Sequence, residues 1–428
     1  MEQYYYNHMN KQEQAAYHGI LQGISGLADE FQIPALDGET LYNVFFQLRL
    51  DHPEIFWATG YKYRYYKESP NIIFVPEYLF DKGKIKEHQK AMKSRVEKLV
   101  RPAKNISEWE KEKYVHDFIC QNVHYDKLKK AYSHEIIGPL GQGVGVCEGI
   151  AKAVKVLLDA LGVWCVIAIC GNNPEKGIKY RHTWNIVRIG GTYYHLDATF
   201  DNTLGNSDKV EDIRYDYFNL DDKSIFRDHE PLIAAAPHCT DHDHFYYREK
   251  KLSFTKTEDV YKRSLQAAKK GKTLTFHWRG GYLTREVLNE LLGLIRKAGE
   301  EKNKTAAVNI NWPQAVLRLH YTEAQMQECI TMEDANEGEK ESQIHGSTMV
   351  IKGETDMLET FNVLRIDESD FGCEGRPDGM AVKDNVLLKS NYTGEEMTVR
   401  EKDARLYELD INEGDQVFLI DGEMRKIR

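Results

Sequence analysis

Three short segments hold residues whose types and order could do nucleophilic chemistry. They are Gly145-Val146-Cys147-Glu148-Gly149, His182-Thr183-Trp184-Asn185 and Tyr193-Tyr194-His195-Leu196-Asp197-Ala198-Thr199. A thiol attacks a carbonyl at neutral pH only when its thiolate is stabilised. Cys147 stands where a glycine-rich stretch meets an amphipathic run, with Ile150, Val154, Leu157, Leu158 and Leu161 at helical spacing and Gly162 as the stop. A helix start offers unpaired N–H groups and the positive end of the macrodipole, and both favour a thiolate. Gly149 would leave room for substrate to approach. The stretch Gly141 to Val146 is not a phosphate loop, because no Gly-Lys-Ser/Thr follows and the GxGxxG spacing fails.

The other two segments flank Gly190-Gly191, a strong hairpin signal between strand-like runs at His182–Ile189 and Thr192–Phe200. With a two-residue turn, Ile189 faces Thr192, His182 faces Thr199 and Trp184 faces Asp197. Alternation then puts His182, Trp184, His195 and Asp197 on one sheet face. His182 and Asp197 become diagonal neighbours, with Cα atoms roughly 7–8 Å apart, within side-chain reach of a hydrogen bond. An Asp so placed would fix the imidazole tautomer and stabilise the imidazolium. His195 lies on the same face and is a rival base. His182 is favoured only slightly, because it follows a loop and so sits at the open strand end.

Other reactive side chains have plainer readings. Cys165 and Cys170 lie on an apolar run and should pack; His116, His124 and His134 read as helix or loop residues. His238-Cys239-Thr240-Asp241-His242-Asp243-His244 is dense in potential zinc or nickel ligands, but adjacent residues rarely converge on one ion, so no metal site is expected. Tyr125 and Gln142 are candidate oxyanion-hole donors beside the Cys147 N–H, and Trp184 is a candidate for the substrate cleft.

Around these segments the chain predicts a helix over 84–99, another from an N-cap at Ser107 to about Gln121 with Glu110 completing a capping box, and a buried strand over 163–170. Residues 1–104 read as a mainly helical region. Residues 251–332 read as a small α/β domain, with helices over 257–270 and 284–297 and strands over 273–278 and 308–312. The polar, acidic stretch 333–345 reads as a linker. Short β-like runs at 348–351, 380–388 and 416–420 make 346–428 a β-rich domain.

Composition narrows the class. The chain has 428 residues and a formal net charge of -10, which argues against a general nucleic-acid binder. No run of 18 apolar residues appears, so no membrane span is expected. The N-terminus lacks the basic and apolar regions of a signal peptide, so the cytoplasm is the expected compartment unless a leader has been removed. Seven irregularly spaced cysteines and no CxxC pair do not make a disulfide framework or a structural zinc site.

Taken together, GVCEG, HTWNIV and YYHLDATFD resemble the three motif blocks of the transglutaminase-like superfamily: Cys at a helix start, His opening a strand, Asp on the next strand. Lys113 to Ile119 with Val123-His124-Tyr125-Asp126 resembles the helix preceding this core in many bacterial members; Asp216-Tyr217-Phe218-Asn219 and Asp228-His229 also fit. The resemblance spans about 105–250. It implies a papain-type α+β core, a Cys-bearing helix packed on an antiparallel sheet, with Cys147 as nucleophile, His182 as base and Asp197 as its orienting acid. His195 then falls at a structural position. The implied chemistry is thiol-dependent acyl transfer on peptide or glutamine-type amides, without a cofactor, on a protein or peptide substrate. A cysteine protease or amidase is the favoured form; a protein-glutamine transglutaminase or other amine acyltransferase is the alternative. A catalytically silent binding or scaffold protein is a third reading, from another class.

Overall fold

The structure, a computed structural model, describes residues 2–66, 69–126, 128–173, 181–204, 213–323, 347–350, 360–367, 383–391, 394, 396–402, 406, 411–420 and 423–426. The stretch read as a linker lies outside the described residues. Two compact units are present, with a boundary at Lys250. Among the described residues no helix is long and apolar enough to cross a membrane.

The first unit opens with α1 (Tyr4–Asn7), α2 (Lys11–Ser25), β1 (Phe31–Pro34), α3 (Gly38–Asp51), β2 (Ala58–Arg64), β3 (Asn71–Tyr78) and α4 (Lys82–Val100). The expected mainly helical region therefore also holds a three-stranded antiparallel sheet, ordered β1-β3-β2. This region is tied to the rest of its unit: the Tyr5 hydroxyl donates to the Ile167 carbonyl at 2.5 Å.

Next come α5 (Glu108–Asn122), β4 (His124–Tyr125), β5 (Val144–Gly145), α6 (Cys147–Ala160), β6 (Cys165–Cys170), β7 (His182–Ile189), β8 (Thr192–Leu196), α7 (Ala198–Leu204), β9 (Phe218–Leu220), α8 (Asp222–Ile225) and α9 (Tyr246–Glu249). Ser107 caps α5 in the expected box with Glu110. Helix α6 ends in a Schellman turn: Gly162 takes φ +75°, and the N–H groups of Gly162 and Val163 donate to Asp159 and Leu158. Strands β6-β7-β8-β9 form an antiparallel sheet in that order, and α6, with Ile150, Val154, Leu157 and Leu158 buried, packs against β6 and β7. An Asn185 Nδ2 donation to the Ala151 carbonyl ties β7 to that helix.

The β7–β8 turn has positive φ at both Gly190 and Gly191, and Ile189 pairs with Thr192 as the turn length requires. The register runs back only to Asn185 opposite Leu196. The expected strand to Phe200 is corrected, because the chain leaves the sheet at Asp197. Its Oδ1 accepts the N–H groups of Thr199 and Phe200 and so caps α7. Across β8, the register with β9 shifts at a bulge that places Asn219 at φ +62°.

The second unit contains β10 (Ser253–Phe254), α10 (Thr257–Lys270), β11 (Leu274–Trp278), α11 (Arg285–Glu300), β12 (Lys304–Asn311), β13 (Val316–Glu323), β14 (Ser347–Val350), β15 (Thr360–Asp367), β16 (Lys383–Ser390), β17 (Glu396–Lys402), β18 (Gln416–Ile420) and β19 (Glu423–Lys426). One sheet is ordered β10-β11-β13-β12-β14 and the other β17-β16-β15-β18-β19. The run at 348–350, read as part of the C-terminal domain, pairs instead with β12. Each sheet has its own apolar core, around Phe276, Leu291 and Leu319 in one and Val363, Val386 and Val417 in the other.

Candidate active site

Cys147 is the first residue of α6, after an extended Val146. What holds this helix start is the preceding loop. The Val146 N–H donates to the Ser133 carbonyl, and a Cβ on Gly149 would stand 2.1 Å from that same oxygen. Gly149 is therefore needed for backbone packing, which replaces the reading that it clears space for substrate. A buried charge cluster anchors the same turn. Lys152 reaches Glu135 at 2.9 Å and Glu148 at 2.8 Å, and Arg49 pairs with both acids.

His182 opens β7, and its Nε2 donates to Asp197 Oδ2 at 2.5 Å. That leaves Nδ1 for the thiol, and the ring is packed between Trp184 and Phe200. Asp197 is fully buried, and both its oxygens are saturated. Oδ2 accepts from His182 and, at 2.9 Å, from His229; Oδ1 accepts two backbone N–H groups from α7. The His182 and His229 charges and hydrogen bonds outweigh burial and hold this carboxyl well below the usual carboxylate range. Burial works against charge on His182 too, yet Asp197 and Cys147 raise it well above its ordinary value. The Cys147 thiol is pulled the other way: burial would raise it, but the His182 hydrogen bond and charge, helped by the Thr183 N–H, bring it below its ordinary value. Those shifts favour a thiolate–imidazolium pair.

The remaining candidates fall at different distances from this centre. Tyr125, on β4 beside Gly145, is half-buried, and its phenol is pushed up to about 12 by burial and by the charges of Cys147 and Asp197. Gln142 is exposed at the end of the π-helical turn Gly138–Gln142. Trp184 is buried, stacked on His182, and its indole N–H donates to His195 Nδ1 at 2.9 Å. His195 is itself buried, with Nε2 on Asp222 Oδ1 at 2.9 Å, so both its nitrogens are engaged.

That tautomer also decides a metal question. His195, Asp222 and Cys239 lie close enough to share an ion. Trp184 can only donate, so His195 Nδ1 must accept and Nε2 must carry the proton, which leaves no lone pair for a cation. His238 and His242 hold Asp222 and Asp221, at 3.2 and 2.9 Å. His182, Asp197 and His229 form the other such group, and there a cation would take the atoms that hold the imidazole.

The same residue types recur in a setting that cannot do the chemistry. Cys120 Sγ lies 3.7 Å from His116 Nε2, which meets Asp201 at 3.0 Å. All three are buried, Cys120 lies inside α5, and burial pushes its thiol up. His229 is the one residue at the centre that the motif spacing did not single out. Its only sequence signal is the Asp228-His229 pair in the downstream resemblance.

Residues 93–198 match the sequence model of the transglutaminase-like superfamily. This segment of the chain belongs to that superfamily. No curated protein matches the chain. Among solved structures it is similar to a crystal structure of a TGase, at 13% identity and TM-score 0.25, over 33% of this chain and 44% of that one. It is also similar to a candidate cysteine protease from Cytophaga hutchinsonii, at 15% identity and TM-score 0.22, over 33% of this chain and 62% of the other. The chain thus spans less than two thirds of either structure.

Proposed function

We propose that this protein catalyses thiol-dependent acyl transfer on peptide or glutamine-type amides, with Cys147 as nucleophile, His182 as proton carrier and Asp197 as its orienting acid. The observation that carries the reading is the saturated Asp197, holding the His182 ring by Nε2 and leaving Nδ1 for a thiol at a helix start.

The Cys147 thiolate attacks the amide carbon, a C–S bond forms, and the carbonyl oxygen takes the negative charge. The N–H groups of the first turn of α6 and the Tyr125 phenol are the donors available to that oxyanion. Collapse breaks the C–N bond, and the leaving amine takes the proton from His182. Neutral His182 then removes a proton from water, the resulting attack breaks the thioester C–S bond, the carboxylic acid leaves, and the Cys147 thiolate is restored beside protonated His182. An amine in place of water gives transfer rather than hydrolysis. We favour hydrolysis, a cysteine protease or amidase acting on a protein or peptide; protein-glutamine transglutaminase is the alternative.

Alkylation of Cys147 by iodoacetamide across pH tests the nucleophile. Reaction at an apparent pKa well below about 8.5 supports the reading, and model-thiol behaviour defeats it. Incubating a glutamine-containing protein with a labelled amine, while following ammonia and peptide release, separates the two acceptors.

A further inference from the structure

His229 enters the centre from a loop 32 residues beyond Asp197 in sequence. Its ring sits between two carboxylates: Nε2 is 2.9 Å from Asp197 Oδ2 and Nδ1 is 2.8 Å from Asp228 Oδ1. A neutral imidazole has one N–H and one lone pair, so it would turn a lone pair on one of these acids. Only the doubly protonated ring satisfies both. The other titratable groups facing it are His182, at 5.4 Å between ring centres, His195, and Tyr217, whose phenol donates to Asp228 Oδ2 at 2.6 Å. Phe200 and Trp184 close the remaining sides with apolar rings. His229 is buried, so its charge is weakly screened at this range.

We propose that His229 is a positioning residue for the candidate triad: an imidazolium clamped between Asp228 and Asp197 that fixes the carboxylate against His182 and lends the centre a permanent positive charge. The proposal rests on the triad reading above. A second hydrogen bond on Oδ2 stops the Asp197 carboxylate from turning away from His182. The charge has a separate effect, since a nearby cation favours the Cys147 thiolate and disfavours protonation of His182. Asp197 alone would hold the His182 proton tightly, and a proton held tightly is poorly released to a leaving amine. His229 offsets that pull while keeping the acid in place. Burial works against charge on the clamped ring, but its hydrogen bonds to Asp197 and Asp228 and the charges of those two acids outweigh burial and raise its affinity for the second proton.

The test uses the full chain. His229→Gln keeps an N–H within reach of Asp197 and removes the charge. With the wild type as reference, the acid limb of Cys147 alkylation by iodoacetamide should move up by on the order of one pH unit, and the His182 ring titration, followed by NMR, should move up with it. A purely structural role would change the melting temperature and leave both profiles in place. Superimposed profiles from a folded variant overturn the proposal while leaving the triad reading intact. A wild-type Cys147 that alkylates like a free thiol sinks the triad reading first. In the wild type, labelled-histidine NMR should find both His229 ring nitrogens protonated at neutral pH. A neutral His229 there overturns the proposal even if His229→Gln does not fold.

Discussion

At the scale of single residues, two histidines on one strand pair meet opposite circumstances. His182 is 18% exposed at a strand end, with one nitrogen on Asp197. His195 is sealed in, with Trp184 on one nitrogen and Asp222 on the other, and burial lowers its tendency to charge. His182→Ala should therefore abolish turnover while leaving the fold intact. His195→Ala should cost about 2–4 kcal/mol, because it leaves a cavity and strands the buried Trp184 indole N–H. Activity assays and urea unfolding of both variants check this, and the reverse pattern would exchange their roles. Alternation along the hairpin made the shared face legible in the sequence. It could not tell the two histidines apart, since Asp222 arrives from another part of the chain.

At the scale of elements, the start of α6 depends on close backbone packing. Gly149→Ala would drive a Cβ into the Ser133 carbonyl, which has its own bond to Val146 and cannot simply move aside. The expected loss is about 1–3 kcal/mol, with Cys147 reactivity falling alongside as the helix start shifts. Thermal melts paired with alkylation rates measure both; an unchanged protein would mean that the loop yields freely. The helix, its glycine stop and the hairpin register were all readable from periodicity and turn chemistry. The end of β8 was not, because Asp197 is at once the last strand-side residue and the cap of α7. Strand alternation continues through Phe200 on paper, and only the two N–H groups captured by Oδ1 show where the helix begins.

At the scale of the whole molecule, buried ionisable groups set how stability follows pH. Asp197 and Glu148 are held below the carboxylate range, so their contribution is present above about pH 4 and is lost as pH falls through their folded values. His182, His229 and His116 are raised; theirs is complete below about pH 6.5 and is lost as pH climbs through their folded values. Glu112 acts in the same direction as the histidines. Burial pushes its carboxyl up to about 8, against an Asn219 hydrogen bond that lowers it, so the folded chain holds a proton that the unfolded chain has released. Stability should fall by a few kcal/mol from about pH 5 to 8 on its account. Glu112→Gln, which mimics the protonated acid, should flatten that part of the curve in urea titrations; an unchanged slope would count against it. The sequence by itself determined the Cys-bearing helix, the β7–β8 pairing with its register, and the three segments able to do chemistry, because each is set by spacing within a few residues of chain. Only the tertiary structure decided which carboxylate each buried histidine meets, that β14 joins the α/β sheet, and that His229 stands behind Asp197. Those outcomes depend on groups far apart in sequence, and a buried polar atom takes whichever partner the packing brings within 3 Å or so.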